Sequence, residues 1–276
     1  MTEMTEIIAR RQFYPAYIWL DTAFLIVLAG LLLWKKKYAT VLVGLAAGVL
    51  YMIVDYGIFH LVCGARSISE GHSLFLVLLW MSISYGFTNF AWIWLWISKD
   101  RHLLAWSLLI LLWWFCCPML AETFGSGAAP IVIQRTTGAY HGYMALILFI
   151  GYLGAILWNL HHEKRSEQFP LGWLLAIGIL VQFGWEAALL LGGIRSAGFT
   201  SYGDKLITLV VNSLLETNLG LPYVYALFLL YAGRHTERLK KRRRPLHFTE
   251  ALRENNGLHV NREAETSEFY SEQITP

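Results

Sequence analysis

Charge is scarce in this sequence. Asp, Glu, Lys and Arg make up 15 % of its 276 residues, against about 25 % in ordinary soluble domains. From Leu74 to Ser98 there is no charged residue at all, a run longer than the roughly 20 residues that cross a bilayer core. This excludes a soluble globular domain and predicts a polytopic membrane protein. Cysteine is scarce too. The 3 present, Cys63, Cys116 and Cys117, include a neighbouring pair that points different ways on a helix, and none has metal-ligand spacing. A disulfide framework and a thiolate metal centre are therefore not expected, and all three read as small apolar packers. A small-residue cleavage site is also missing after the first apolar run, where Lys35-Lys36-Lys37 stands instead, so that run is expected to remain as a span.

The apolar runs predict an all-α fold, a bundle of seven transmembrane helices at about 17–34, 39–60, 73–98, 102–121, 140–160, 170–192 and 205–232. A short outer segment, 1–16, precedes the membrane domain of 17–233. A basic and then polar tail, 234–276, follows it and is too poor in large apolar residues to pack a core. Lysine and arginine set the orientation. Fourteen fall in the connections and tail of one side and six on the other, which places the amino terminus outside and the carboxyl terminus in the cytosol. The cluster "RHTERLKKRRRP" serves that topology and contact with anionic lipid, and no nucleic-acid partner is expected.

Three chemistries lack their residues. A retinal Schiff base needs a lysine deep in the last span, where Lys205 stands only at the start. A seven-span zinc hydrolase needs histidines at helical spacing, but His60, His72, His141, His161, His162 and His235 all fall at span edges. A serine hydrolase finds no nucleophile elbow. No metal or nucleotide cofactor is implied.

What the spans do contain is acid and amide at matched depth. Asp55, Glu186 and Glu216 lie inside spans two, six and seven, and Asp21 and Glu122 nearer span ends. Because spans alternate in direction, all five fall in the outer half of the bilayer. Each intramembrane acid costs several kcal/mol and demands a reason. Gln182 precedes Glu186 by one turn, Asn212 precedes Glu216, and Tyr51 precedes Asp55, so each acid shares a face with a polar neighbour. In span three Tyr85, Asn89, Trp92 and Trp96 form one helical stripe, with Trp94 expected to look outward. Pro222 cannot donate to the carbonyl of Asn218 and should kink span seven, setting Glu216 and Asn218 beside a polar space. Arg66 and Arg195, in outer loops, could face solvent, pair with Asp55 or Glu186, or hold an anionic group such as a diphosphate. Polar residues of this kind also join helices by hydrogen bonds, and Trp and Tyr gather at membrane interfaces.

Acids and rings in a dry chamber suit carbocation chemistry. A carboxylic acid delivers a proton to an alkene or epoxide, and ring faces stabilise the cation by about 2 kcal/mol or more each when desolvated. The arrangement resembles the small seven-span terpene cyclases of fungal meroterpenoid and bacterial indole-sesquiterpenoid pathways. Those proteins carry an early acid, a late acid and often an Asn-x-x-Trp-Glu pattern. Asn89-Phe90-Ala91-Trp92 matches its first four positions, Ile93 stands in place of the acid, and Trp185-Glu186 supplies the dipeptide in span six. The resemblance implies cyclisation of a lipid-soluble prenylated or epoxidised substrate. Asp55 or Glu186 would be the proton donor and Glu216 the cation stabiliser or final base. Tyr85, Trp92 and Trp185 would be the facing rings, with Asn89, Gln182 and Asn212 orienting the acids. A transporter or receptor for a small amphiphile would use the same residues, with the acids coupling protons or binding cations. An assembly or signalling component would need them for stability alone. The oligomeric state is not encoded in any of these features.

Overall fold

The computed structural model describes residues 9–135, 141–163, 167–195 and 201–239. The basic cluster from Lys240 and the polar tail, like residues 1–8, lie outside the described residues. Among the described residues, six helices are long and apolar enough to cross a membrane. The first described element is strand β1 (Ala9–Phe13), followed by α1 (Pro15–Trp34) and α2 (Tyr38–Met52). A π-helical stretch, Ile53–Val62, carries α2 onward to β2 (Arg66–Ile68). Then come α3 (Leu74–Ile97), α4 (Leu103–Gly125), β3 (Ile131–Arg135), α5 (His141–His161), α6 (Leu171–Leu191), α7 (Tyr202–Leu215) and α8 (Leu221–Leu239).

Helix α3 occupies the centre. Most of its side chains are buried, whereas α1 and α2 bury one stripe each. That explains why α3 carries Ser84, Thr88 and Asn89: along 84–95 every residue is buried, so the whole circumference there faces protein. The apolar belt of the outer helices is exposed, with Val62 at 80 % and Trp19 at 74 %, as lipid-facing surfaces are. Trp94 corrects the outward expectation. It is buried, edge-on to Phe228 at 5.4 Å and Tyr231 at 5.9 Å, because α8 covers the face of α3 opposite Tyr85.

The all-α expectation is corrected at one end. Strands β1, β3 and β2 form an antiparallel sheet in that order, with Arg11 opposite Ile133 and Ile133 opposite Ile68. Side chains alternate across a strand, so Arg11, Phe13, Ile131, Ile133 and Arg66 turn inward and are buried, while Arg10 and Gln12 face out. The Gln12 amide donates to the Ile194 carbonyl at 2.9 Å, bringing the turn after α6 to the same end. At the opposite end an ion pair between Lys37 and Asp100 joins the α1–α2 and α3–α4 turns.

The expected kink at Pro222 is instead a break. Residues 216–220 form turns between α7 and α8, and Pro222 sits in the first turn of α8, where a missing N–H costs least. The Asn218 carbonyl that Pro222 cannot serve accepts from the Leu221 amide at 3.2 Å. The Asn218 side chain in turn donates to the freed carbonyls of Ser213 at 3.3 Å and Leu214 at 3.2 Å. Backbone groups released inside an apolar bundle are thereby satisfied, which a smooth bend would not require.

Candidate functional site

The hub of the interior is Gln182 on α6, fully buried. Its carboxamide nitrogen donates to Glu216 Oε2 at 2.9 Å and to Glu186 Oε1 at 3.3 Å. Its oxygen accepts from the Tyr85 hydroxyl at 2.7 Å and the Thr217 hydroxyl at 2.5 Å. Two donors and two lone pairs are all a primary amide has, so the group is saturated and its orientation fixed. Three parts of the fold are tied through one side chain: α3 by Tyr85, α6 by Gln182 and Glu186, and the α7–α8 break by Glu216 and Thr217.

Glu186, also fully buried, meets Arg195 Nε at 3.0 Å, and Asn212 from α7 hydrogen-bonds it as well. Arg11, from the inner face of β1, contributes its positive charge to the same carboxyl. Glu216 is only half buried. Asp55 is engaged in a separate ion pair, with Arg66 Nη2 at 2.7 Å. That guanidinium also donates to the Ala65 carbonyl at 3.1 Å and lies over the Phe59 ring at 4.6 Å. The solvent-facing alternative for both loop arginines is therefore corrected: Arg66 and Arg195 are 4 % and 3 % exposed, pulled inward by acids left in a low-dielectric interior.

A chain of rings walls this cluster. Tyr51 meets Tyr85 edge-on at 4.7 Å, Tyr85 meets Trp185 at 5.6 Å, Trp185 meets Trp114 at 5.0 Å, and Trp114 meets Trp92 at 5.6 Å. Edge-to-face pairs of this kind favour fixed geometry. Trp92 is pinned further by donation to Ser107 Oγ at 2.8 Å. Asn89 lies one turn beyond Tyr85, has no exposed surface, and has neither amide atom hydrogen-bonded among the described residues. Trp185 Nε1 is likewise without an acceptor there. Asn218 stands apart from the acids, packed over Gly178, where any Cβ would overlap its carboxamide; the Tyr152 hydroxyl approaches its oxygen at 3.5 Å.

So the structure joins Glu186, Glu216, Gln182, Asn212, Tyr85 and Trp185. It sets Asn89 and Trp92 along the same helix, gives Asn218 to the helix break, and holds Asp55 with Arg66. Sequence reasoning missed Thr217, Trp114 and Arg11. Thr217 follows Glu216 directly and could have been found once the break was placed. Arg11 carries no sequence signal, since only the sheet turns it inward. Among the described residues no three His, Cys, Asp or Glu side chains converge as metal ligands do. No family model matches the chain, and neither does any curated protein or solved structure.

Proposed function

We propose that the chain is an integral-membrane enzyme of isoprenoid chemistry, a proton-initiated cyclase acting on a prenylated or epoxidised lipid-soluble substrate. One observation carries the reading: Glu186 and Glu216, from different elements, share the Gln182 amide behind a continuous wall of Tyr and Trp rings. The fold in the membrane has seven spans, with α7 and α8 together as the seventh, the sheet end outside and the carboxyl terminus in the cytosol, in keeping with the lysine and arginine distribution.

The roles follow from the partners. Glu186 carries Arg195 as counter-ion, which suits a fixed anion facing a cation and accepting the final proton. Glu216, held by a neutral amide, suits the proton donor. Protonation of an alkene or epoxide opens a cation, a carbon–carbon bond forms at the expense of a π bond, and loss of a proton to Glu186 closes the sequence. Substrate and product are isomers, so no oxidant or reductant is consumed. Tyr85 and Trp185 supply the quadrupole faces.

The test is conversion of an epoxidised prenyl substrate by isolated membranes in the presence of a protonophore, read as a product of equal mass and altered connectivity. Glu216→Gln and Glu186→Gln should each lower the rate by about 100-fold or more, the span of a lost general acid or base. Full activity in both variants overturns the assignment. A second reading, a transporter of a small amphiphile, is favoured by the broken helix at 216–220, because discontinuous helices commonly frame transport sites. Flux that the protonophore abolishes, with no change in connectivity, would select it.

A further inference from the structure

The end of the bundle opposite the sheet takes no part in the proposed chemistry, yet it is built with care. Helices α1 and α3 stop there in the same way. The Lys36 amide donates to the Leu33 carbonyl at 2.9 Å and the Lys37 amide to that of Leu32 at 2.8 Å. In the other helix the Lys99 amide donates to the Trp96 carbonyl at 3.2 Å and the Asp100 amide to that of Leu95 at 3.0 Å. This paired closure puts one residue in the left-handed conformation, a place that glycine usually takes. Here it is Lys36, at a φ of 57°, and Lys99, at a φ of 50°. Among the described residues these are the two non-glycine residues with positive φ, whereas Gly64, Gly71 and Gly193 fill such positions elsewhere.

A side chain in that conformation is strained, and two ordinary reasons for keeping it fall short. Positive charge is favourable near a helix C-terminus, but Lys35 and Lys37 already bring it to α1 at φ values of −79° and −89°. Membrane topology needs lysines somewhere in a connection, not at the one residue where a Cβ is unwelcome. The lysine side chain therefore has a use of its own.

The residues that follow the two strained lysines, Lys37 and Asp100, form the ion pair that clasps the turns together. Asp100 is 5 % exposed and also accepts from the His102 amide at 2.9 Å and from Trp106 Nε1 at 3.3 Å. Its charge is thus engaged within the fold. The two turns hold five cations and this one acid. Lys35, Lys36, Lys99 and Arg101 are exposed, and none has an acid partner among the described residues. Like charges drawn together in this way repel one another, and an anion relieves the repulsion. Two rings place that anion. Trp34 and Tyr38 flank the first turn, 73 % and 62 % exposed, and Lys35 Nζ lies over the Trp34 ring at 4.6 Å. Exposed rings at the ends of apolar helices lie at the headgroup level of a bilayer, which selects an anion carried by lipid.

We propose that the clasped α1–α2 and α3–α4 turns bind the phosphate of an anionic phospholipid, with Lys36 and Lys99 as its main ligands. Lys35 and Arg101 stand beside them. Lysine meets phosphate oxygens as a point charge and arginine as a fork of donors. The site rests on the placement of the helices in a membrane and not on the cyclase reading, and it is separate in sequence from the basic cluster at 240–244.

The experiment titrates the full chain in mild detergent with phosphatidic acid or phosphatidylcholine and counts bound lipid by native mass spectrometry. One phosphatidic acid should bind ahead of the rest, and phosphatidylcholine should not replace it. Lys36→Gly with Lys99→Gly should weaken that binding by about tenfold or more, each lysine near an anionic headgroup being worth about fivefold. The same variant should unfold at a midpoint no lower than the parent's, because glycine suits the left-handed turn. Lys36→Arg with Lys99→Arg should keep the lipid. Unchanged binding in the glycine variant overturns the proposal. So does an equal loss in Lys240→Gln with Arg242→Gln, which would mean diffuse attraction. Glycerol phosphate bound as tightly as the lipid would make the ligand a soluble anion, and a lower midpoint in the glycine variant would mean that the lysines serve the turn itself; either result also overturns it. No turnover is read, so the two readings fail separately: an inactive chain that binds the lipid keeps the site, and a converting chain that does not bind it keeps the enzyme.

Discussion

Arg195→Ala should destabilise the protein by about 3–5 kcal/mol, the cost of stripping the partner from a buried charge, while Arg195→Ala combined with Glu186→Gln should be destabilised far less. The geometry makes the asymmetry unavoidable. Glu186 has no exposed surface and Arg195 is 3 % exposed, so water cannot replace the guanidinium when it is lost. Gln182 donates to Glu186 at 3.3 Å, and Asn212 adds a second neutral donor; neither supplies a compensating charge. Arg11 contributes charge from a neighbouring strand but belongs to the sheet and cannot move in without breaking its pairing with β3. Converting the carboxylate to an amide removes the stranded charge and keeps the hydrogen-bonding shape. The coupling between the two positions, measured as a double-mutant cycle on unfolding in mild detergent, should therefore exceed about 2 kcal/mol, within the range found for residues in direct contact. A double mutant destabilised by the sum of the two single effects would mean that the pair is not coupled, and the fixed-anion role given to Glu186 would go with it.

The acids were legible in the sequence because a charge in an apolar run stands out. Their partners were legible only as a choice. Arg66 and Arg195 each had two candidate acids, and what decides between them is the course of short loop segments that no periodicity describes. Asp55 follows a π-helical winding, from Ile53 to Val62, and Arg66 lies 4 residues past its end, so the two meet within one hairpin-like return. The sheet was not legible at all. "ARRQF", "RSI" and "IVIQR" are too short to show alternation, and they pair across more than fifty intervening residues. Pro222 announced a disturbance, but whether the helix bends or breaks depends on who satisfies the freed carbonyls. Here the answer is Asn218, whose side chain had been read as facing a site. Trp80 and Trp106 were readable as interfacial rings, yet each donates to a buried acid, Asp21 at 3.0 Å and Asp100 at 3.3 Å.

Gly86→Ala should be the most damaging single methyl group that can be added to the bundle. A Cβ at Gly86 would stand 2.6 Å from both Cα and N of Gly48 and 2.8 Å from the carbonyl carbon of Ala47. All three are backbone atoms of α2, so no side-chain rotation relieves the overlap and the helices must separate. Small residues bring membrane helices this close, and the seam continues on both sides. A Cβ on Gly44 would meet the Phe87 ring at 2.8 Å, and one on Gly48 would meet the Ile83 Cα at 3.2 Å. Forcing atoms into such a contact costs about 1–3 kcal/mol and sometimes more, and a clash with backbone belongs at the upper end. Function should suffer along with stability, because α2 carries Tyr51 against Tyr85 at 4.7 Å, and Tyr85 orients Gln182 through its 2.7 Å bond. Displacing α2 therefore loosens the ring wall and the amide that joins the two glutamates. Gly30→Ala is the matched control: nothing lies within 4 Å of its added Cβ, and alanine is the better helix former by up to about 1 kcal/mol, so that variant should be as stable as the parent or more so. Thermal unfolding of both variants side by side gives the comparison, and equal midpoints would show that the glycine seam does not hold α2 against α3.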